Sequence, residues 1–212
     1  VNGALATLVN KGNGAGKIFL TRVLRPLRGG PSAFAWNPTN ANQIATIRDT
    51  VIGANTVLRL FISNFDGTGS VFANGIPLIL GGDSSIVVQE MSWSPNGQFL
   101  VLAGEVSFQR KLYFINANGT GLRQLTNPPI TPIELEDAHP EIAPDNTQVL
   151  FLRNRLDFEG SDWNYFVMPV SGSEGSQQQV SLELISGQSS QSTTADWSPD
   201  GTQFVLAGTD AV

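Results

Sequence analysis

The chain has 212 residues, 41% apolar, 14% charged and 8% aromatic, which suffices for a sizeable core and lies outside the disordered, collagenous and disulfide-scaffold classes. With no Cys and one His, it has no Cys nucleophile, no thiolate zinc site and no disulfide. A formal net charge of -6 speaks against nucleic acid as a partner. No apolar run reaches the ~18 residues of a membrane span, and the start Val1-Asn2-Gly3 lacks the basic n-region of a signal peptide, so neither is expected.

Residues 4–9 and 17–24 read as strands joined by the loop Gly12-Asn13-Gly14-Ala15-Gly16-Lys17. That loop is not a phosphate loop, because the Walker spacing places Lys11 where Gly is required and Ile18 where Ser or Thr is required. Charge is uneven from here on. Lys11, Lys17, Arg22, Arg25, Arg28 and Arg48 occur in the first 48 residues without a single acid, and all 18 acids follow. Such asymmetry marks either a docking surface for an anionic partner or charge that neighbouring strands neutralise internally.

Next comes Trp36-Asn37-Pro38 with the apolar stretch 43–47, then 61–65 with Asp66-Gly67-Thr68-Gly69. The pattern returns as Trp93-Ser94-Pro95-Asn96-Gly97 with 99–103, then as 113–117 with Asn118-Gly119-Thr120-Gly121. It returns again as Ile142-Ala143-Pro144-Asp145-Asn146 with 148–152, then as 166–170 with Ser171-Gly172. Trp197-Ser198-Pro199-Asp200-Gly201 with 204–207 closes the series. The prolines lie 57, 49 and 55 residues apart and the glycines 67, 119 and 172 lie 52 and 53 apart, so two landmarks give one period. Pro-Asp/Asn-Gly supplies a fixed φ, a turn-capping side chain and a residue tolerant of positive φ. The apolar runs 99–103 and 204–207 read as strands buried on both faces, and 122–126 and 180–185 as polar fourth strands. Four strands per period of about fifty residues, with sheets stacked on both faces, predict an all-β fold of propeller blades.

Trp-Ser-Pro-Asp/Asn-Gly before an apolar strand, with Asn-Ala-Asn-Gly-Thr-Gly-Leu-Arg-Gln-Leu-Thr at 116–126, resembles the TolB-like, WD-type propeller repeat. The resemblance covers nearly the whole chain and weakens at Trp36, where Thr39-Asn40-Ala41-Asn42 replaces Asp-Gly. It implies a six- to eight-bladed ring in secreted, periplasmic or cell-surface proteins that serve as platforms for other proteins, and it carries no invariant catalytic residue. A single propeller domain over 1–212 is expected, with blades near 31–84, 85–130 and 131–187 and partial blades at 1–30 and 188–212. An incomplete larger ring is the first expectation. The alternatives are a closed four-bladed ring and two copies joined head to tail through open edge strands.

Sites are weighed against packing. Trp36, Trp93, Ile142 and Trp197 hold one repeat position and are expected in the core rather than on a sugar platform. His139 opens a strand ahead of Pro140, and no Gly-x-Ser-x-Gly elbow accompanies it. Glu134, Glu136, Asp137, Glu141 and Asp145 surround it in sequence, and Asp157, Glu159 and Asp162 follow, but no calcium-loop spacing is present. A glycosidase pair would need a separation that sequence does not give. Trp163, in the polar stretch 160–164 read as a loop, is a candidate partner contact, as are Arg22, Arg25 and Arg28. Asn118-Gly119-Thr120 matches the glycosylation pattern but is discounted in a hairpin turn of bacterial appearance. No catalytic residue, metal or cofactor is expected. The function expected is a non-catalytic, protein-binding scaffold in the bacterial periplasm or at the cell surface, as an extrinsic subunit of a larger envelope or membrane-attached complex. The rival is the propeller domain of a hydrolase, a serine peptidase or a carbohydrate-active enzyme, gating or binding substrate.

Overall fold

The computed structural model describes residues 7–8, 18–19, 34–52, 55–64, 68–69, 75–78, 86–128, 134–157, 160–180 and 195–206. Every regular element among them is a β-strand, and every pairing is antiparallel. Strands β1 (Thr7–Leu8) and β2 (Ile18–Phe19) form a hairpin. The first four-stranded sheet holds β3 (Phe34–Trp36), β4 (Gln43–Ile52), β5 (Asn55–Asn64) and β6 (Ile76–Pro77), in that order. The second holds β7 (Val87–Trp93), β8 (Phe99–Val106), β9 (Gln109–Asn116) and β10 (Arg123–Gln124). The third holds β11 (Glu134–Ile142), β12 (Gln148–Asp157), β13 (Gly160–Pro169) and β14 (Gln178–Gln179), and β15 (Ala195–Trp197) pairs with β16 (Phe204–Leu206). The first strand of each sheet lies beside the first strand of the next, β3 against β7, β7 against β11, β11 against β15. Meander sheets fanned about their innermost strands are the blades of a β-propeller, about four in this chain.

Among the described residues three cores lie between the blades. Ala45, Ile47, Leu60 and Ile62 of the first blade meet Trp93, Leu100, Leu102, Tyr113 and Ile115 of the second. Phe99, Val101, Ala103 and Leu112 meet Ile142, Val149, Phe151 and Met168. Leu150, Leu152 and Tyr165 meet Trp197, Phe204 and Leu206. Strand β8 is therefore buried on both faces, as its composition predicts. Strand β16 departs from that expectation. Val205 is 65% exposed, because Phe204 and Leu206 take the one face that packs on the third blade. The fourth strands are also shorter than expected, and residues 181–185 lie outside those described.

The turn after each inner strand explains the repeat chemically. Ser94 Oγ accepts from the backbone N–H of Gln98 and of Phe99, both at 3.0 Å, and donates to Asn96 Oδ1 at 2.8 Å. Ser198 does the same with Gln203 and Asp200 at 3.0 and 2.6 Å. Gly97, at φ 68, is required twice over: any Cβ there would sit 2.4 Å from Thr39 Oγ1 of the first blade. The equivalent Asn146 keeps the left-handed turn at φ 66, and its Oδ1 accepts from the Asn96 N–H at 2.9 Å, which ties two blades together.

Candidate functional site

The inner strands place titratable groups about the propeller axis. Strand β7 bulges between Val88 and Glu90, and β11, nearer its Ile142 end, bulges between Ala138 and Glu141. The bulge carries His139 at φ 50, a left-handed conformation uncommon outside glycine. Its backbone N–H donates to Glu90 Oε2 at 2.7 Å and its Nδ1 lies 3.3 Å from the same oxygen. Farther along, Glu141 is open to solvent, and its carboxyl is pushed up to about 7, first by the protein packed around it and then by Asp196. Solvent screening moderates that rise. Among the described residues the His139 imidazole meets no hydroxyl, only the Glu90 carboxylate.

The acids that surround His139 in sequence are separated in space. Alternation along β11 sends Asp137 into the interface with the second blade, where it is fully buried. Arg153 donates to it twice, Nε to Oδ1 at 2.7 Å and Nη2 to Oδ2 at 2.9 Å, and also donates to Glu174 at 3.1 and 3.2 Å. Burial acts to raise the Asp137 carboxyl and to lower Arg153. The twin hydrogen bonds oppose both effects, and with Glu174 they hold Arg153 above its ordinary range; the geometry is that of an ionised pair. Burial also acts to raise Glu174, but hydrogen bonds from Arg153 and from the Asn127 N–H at 2.7 Å outweigh it, and its carboxyl is lowered. Glu136 pairs with Arg110 at 3.8 Å, and Asp145 accepts from the Thr147 N–H in its turn at 2.9 Å. Among the described residues no group of three or more His and carboxylate side chains is placed to hold a metal.

The end of the propeller formed by the β4–β5, β8–β9 and β12–β13 hairpins has a shape that sequence did not disclose. Equivalent levels are set by the pairs Trp36↔Ile44, Trp93↔Leu100 and Ile142↔Val149. From there the second blade ends at Val106↔Gln109, whereas the first and third run two pairs farther, to Ile52↔Asn55 and Asp157↔Gly160. At about 3.3 Å per residue the second hairpin stops about 7 Å short of its neighbours. Its two-residue turn is Ser107-Phe108, at φ 53 and 64, the backbone of a type I′ turn that ordinarily takes Asn-Gly. Phe108 is 79% exposed there.

Trp93, at 7% exposure, and Ile142, at 6%, lie in the interblade cores. Trp93 Nε1 donates to the Ala35 carbonyl of the preceding blade at 3.0 Å, and Trp197 Nε1 donates to the Glu141 carbonyl at 3.2 Å from a half-buried position. Trp36 is 43% exposed rather than enclosed as its repeat position predicts. Trp163 lies within β13 opposite Asn154, not in a loop, at the register position that Leu58 and Arg110 hold in the other blades. Arg22, Arg25 and Arg28 lie outside the described residues, as do the loop at 12–16 and Glu159.

No family model matches the chain, and no curated protein sequence matches it. Among solved structures it is similar to TolB from Acinetobacter baumannii, at 14% identity over 83% of this chain and 36% of that one, with a TM-score of 0.47. It is similar to an oligogalacturonate lyase in complex with manganese, at 14% identity over 85% and 46% of the two chains, with a TM-score of 0.49. It is also similar to Sqt1 from Chaetomium thermophilum, at 21% identity over 84% and 41%, with a TM-score of 0.45. The chain spans less than half the length of each of these proteins. Among the described residues no helix is long and apolar enough to cross a membrane.

Proposed function

We propose that the chain is a non-catalytic, protein-binding propeller of the TolB-like kind, working in the periplasm or at the surface of a bacterium. The observation that carries this reading is Phe108. An L-residue in the left-handed region costs on the order of 1 kcal/mol, and a large apolar side chain in water adds nothing to folding. A residue that costs stability and stands exposed at a hairpin tip, in the notch between two longer hairpins, has the properties of a contact anchor. The rest of the molecule supports the same reading. Asp137, Arg153 and Glu174 are engaged with one another within the third blade, Glu174 also holds the Asn127 N–H of the second, and the lone imidazole is engaged by Glu90 rather than set against a nucleophile.

The test is site-specific photo-crosslinking in cells of the source bacterium. A photoreactive phenylalanine at position 108 should capture one discrete protein, and the same group at Asn118, on the opposite end of the blade, should not. Equal capture at both positions, or none at 108, would refute the proposal.

A further inference from the structure

Arg48 and Arg153 hold one position in the repeat, each four residues beyond the strand-two residue paired with Trp36 or Ile142. Each lies over a strand-three aromatic ring, Arg48 at 4.9 Å from Phe61 and Arg153 at 5.3 Å from the equivalent Phe166. Their partners differ. Arg153 has two carboxylates, whereas Arg48 donates through Nε to Thr46 Oγ1 at 3.0 Å and through Nη2 to Ser63 Oγ at 3.1 Å, both of them neutral hydroxyls of buried residues. Among the described residues no carboxylate lies within ion-pair reach of Arg48. The first 47 residues cannot supply one, since none of them is acidic. Burial alone acts on the Arg48 guanidinium and lowers it, with no carboxylate to raise it again as happens at Arg153.

We infer that Arg48 is a carboxylate-binding site, filled by an acidic side chain of a partner protein. The two hydroxyls and the Phe61 ring fix the guanidinium plane and occupy its Nε side. The outer edge, with both Nη1 hydrogens and the second Nη2 hydrogen, keeps the fork that takes a carboxylate through two parallel N–H···O bonds. The segment before it, basic and without acids, makes this the end of the chain that attracts an acidic surface. The inference rests on the interaction-module reading only in that a partner brings the carboxylate, and its probe does not involve Phe108.

The experiment is thermal unfolding of the 212-residue chain, as wild type, Arg48→Met and Arg48→Lys, with an end-capped hexaglutamate peptide, with hexaglutamine, and with phosphate at matched ionic strength. Without peptide, Arg48→Met should melt at or above the wild-type temperature, because it removes a half-buried charge that has no counter-ion among the described residues. Hexaglutamate at several times its dissociation constant should raise the wild-type melting temperature by about 2–4 °C, leave Arg48→Met unmoved and act weakly on Arg48→Lys, which keeps the charge and loses the fork. Hexaglutamine should do nothing. A large fall in the melting temperature of Arg48→Met with the same peptide response as wild type would overturn the site. An Arg48-dependent shift from phosphate equal to that from hexaglutamate would overturn the partner carboxylate in favour of a free anion. If crosslinking at Phe108 succeeds while the hexaglutamate response is absent, this inference fails alone.

Discussion

Arg153→Met should destabilise the protein by about 3–5 kcal/mol in urea denaturation. The cause is what remains. Asp137 has no exposed surface, and without Arg153 its carboxylate is buried with no counter-charge, while Glu174 keeps the Asn127 N–H and partial access to water. The loss should depend on pH with a definite sign. In the variant, burial raises the folded-state pKa of Asp137 above its unfolded value, so stability is highest below the unfolded pKa and is lost as the pH rises through the folded one. Acidification should therefore restore part of the loss. Arg153→Met combined with Asp137→Leu should recover most of it at every pH, since apolar replacement of a whole buried pair is close to neutral. A single variant that unfolds like wild type, or a double variant worse than the single one, would contradict a buried ion pair that joins β11 to β12 in the third blade.

Trp93→Ala should cost about 3–5 kcal/mol, because it empties a large volume from the core between the first two blades and leaves the Ala35 carbonyl without its donor. The repeat supplies internal controls. Trp197 makes the same indole-to-carbonyl bond from a half-buried place, and Trp36 is 43% exposed, so the cost should fall in the order Trp93, Trp197, Trp36. Equal costs at all three positions would contradict the burial seen for them.

The blade architecture was legible because its signals are local. A Ser or Asp that caps its own turn, and a Gly that adopts φ near 70°, need only neighbours in sequence, and that chemistry recurs at Ser94–Gly97 and Ser198–Gly201. What escaped depends on pairing across strands. The acids near His139 read as one cluster, yet alternation along β11 sends Asp137 to a partner sixteen residues away and Asp145 to its own turn. Residues 160–164 read as a loop because they are polar, while their pairing with β12 carries the hairpin two pairs past that of the second blade. Ser107-Phe108 gave no turn signal, because a type I′ turn is announced by Asn-Gly and this one is built from residues that resist it. The Arg48 site has a sequence trace only in the missing acids of the first 48 residues, and became specific once the register equated it with Arg153.

The measurement that bears most directly on an interaction module built around Phe108 is the folding free energy of Ser107→Asn/Phe108→Gly beside its crosslinking or binding to the protein captured at that position. Asn-Gly is the sequence the turn prefers, so the double variant should be more stable than wild type by about 1 kcal/mol while losing partner binding. A variant less stable than wild type, or one that binds the partner unchanged, would contradict a Phe108 held in a costly conformation for the sake of contact.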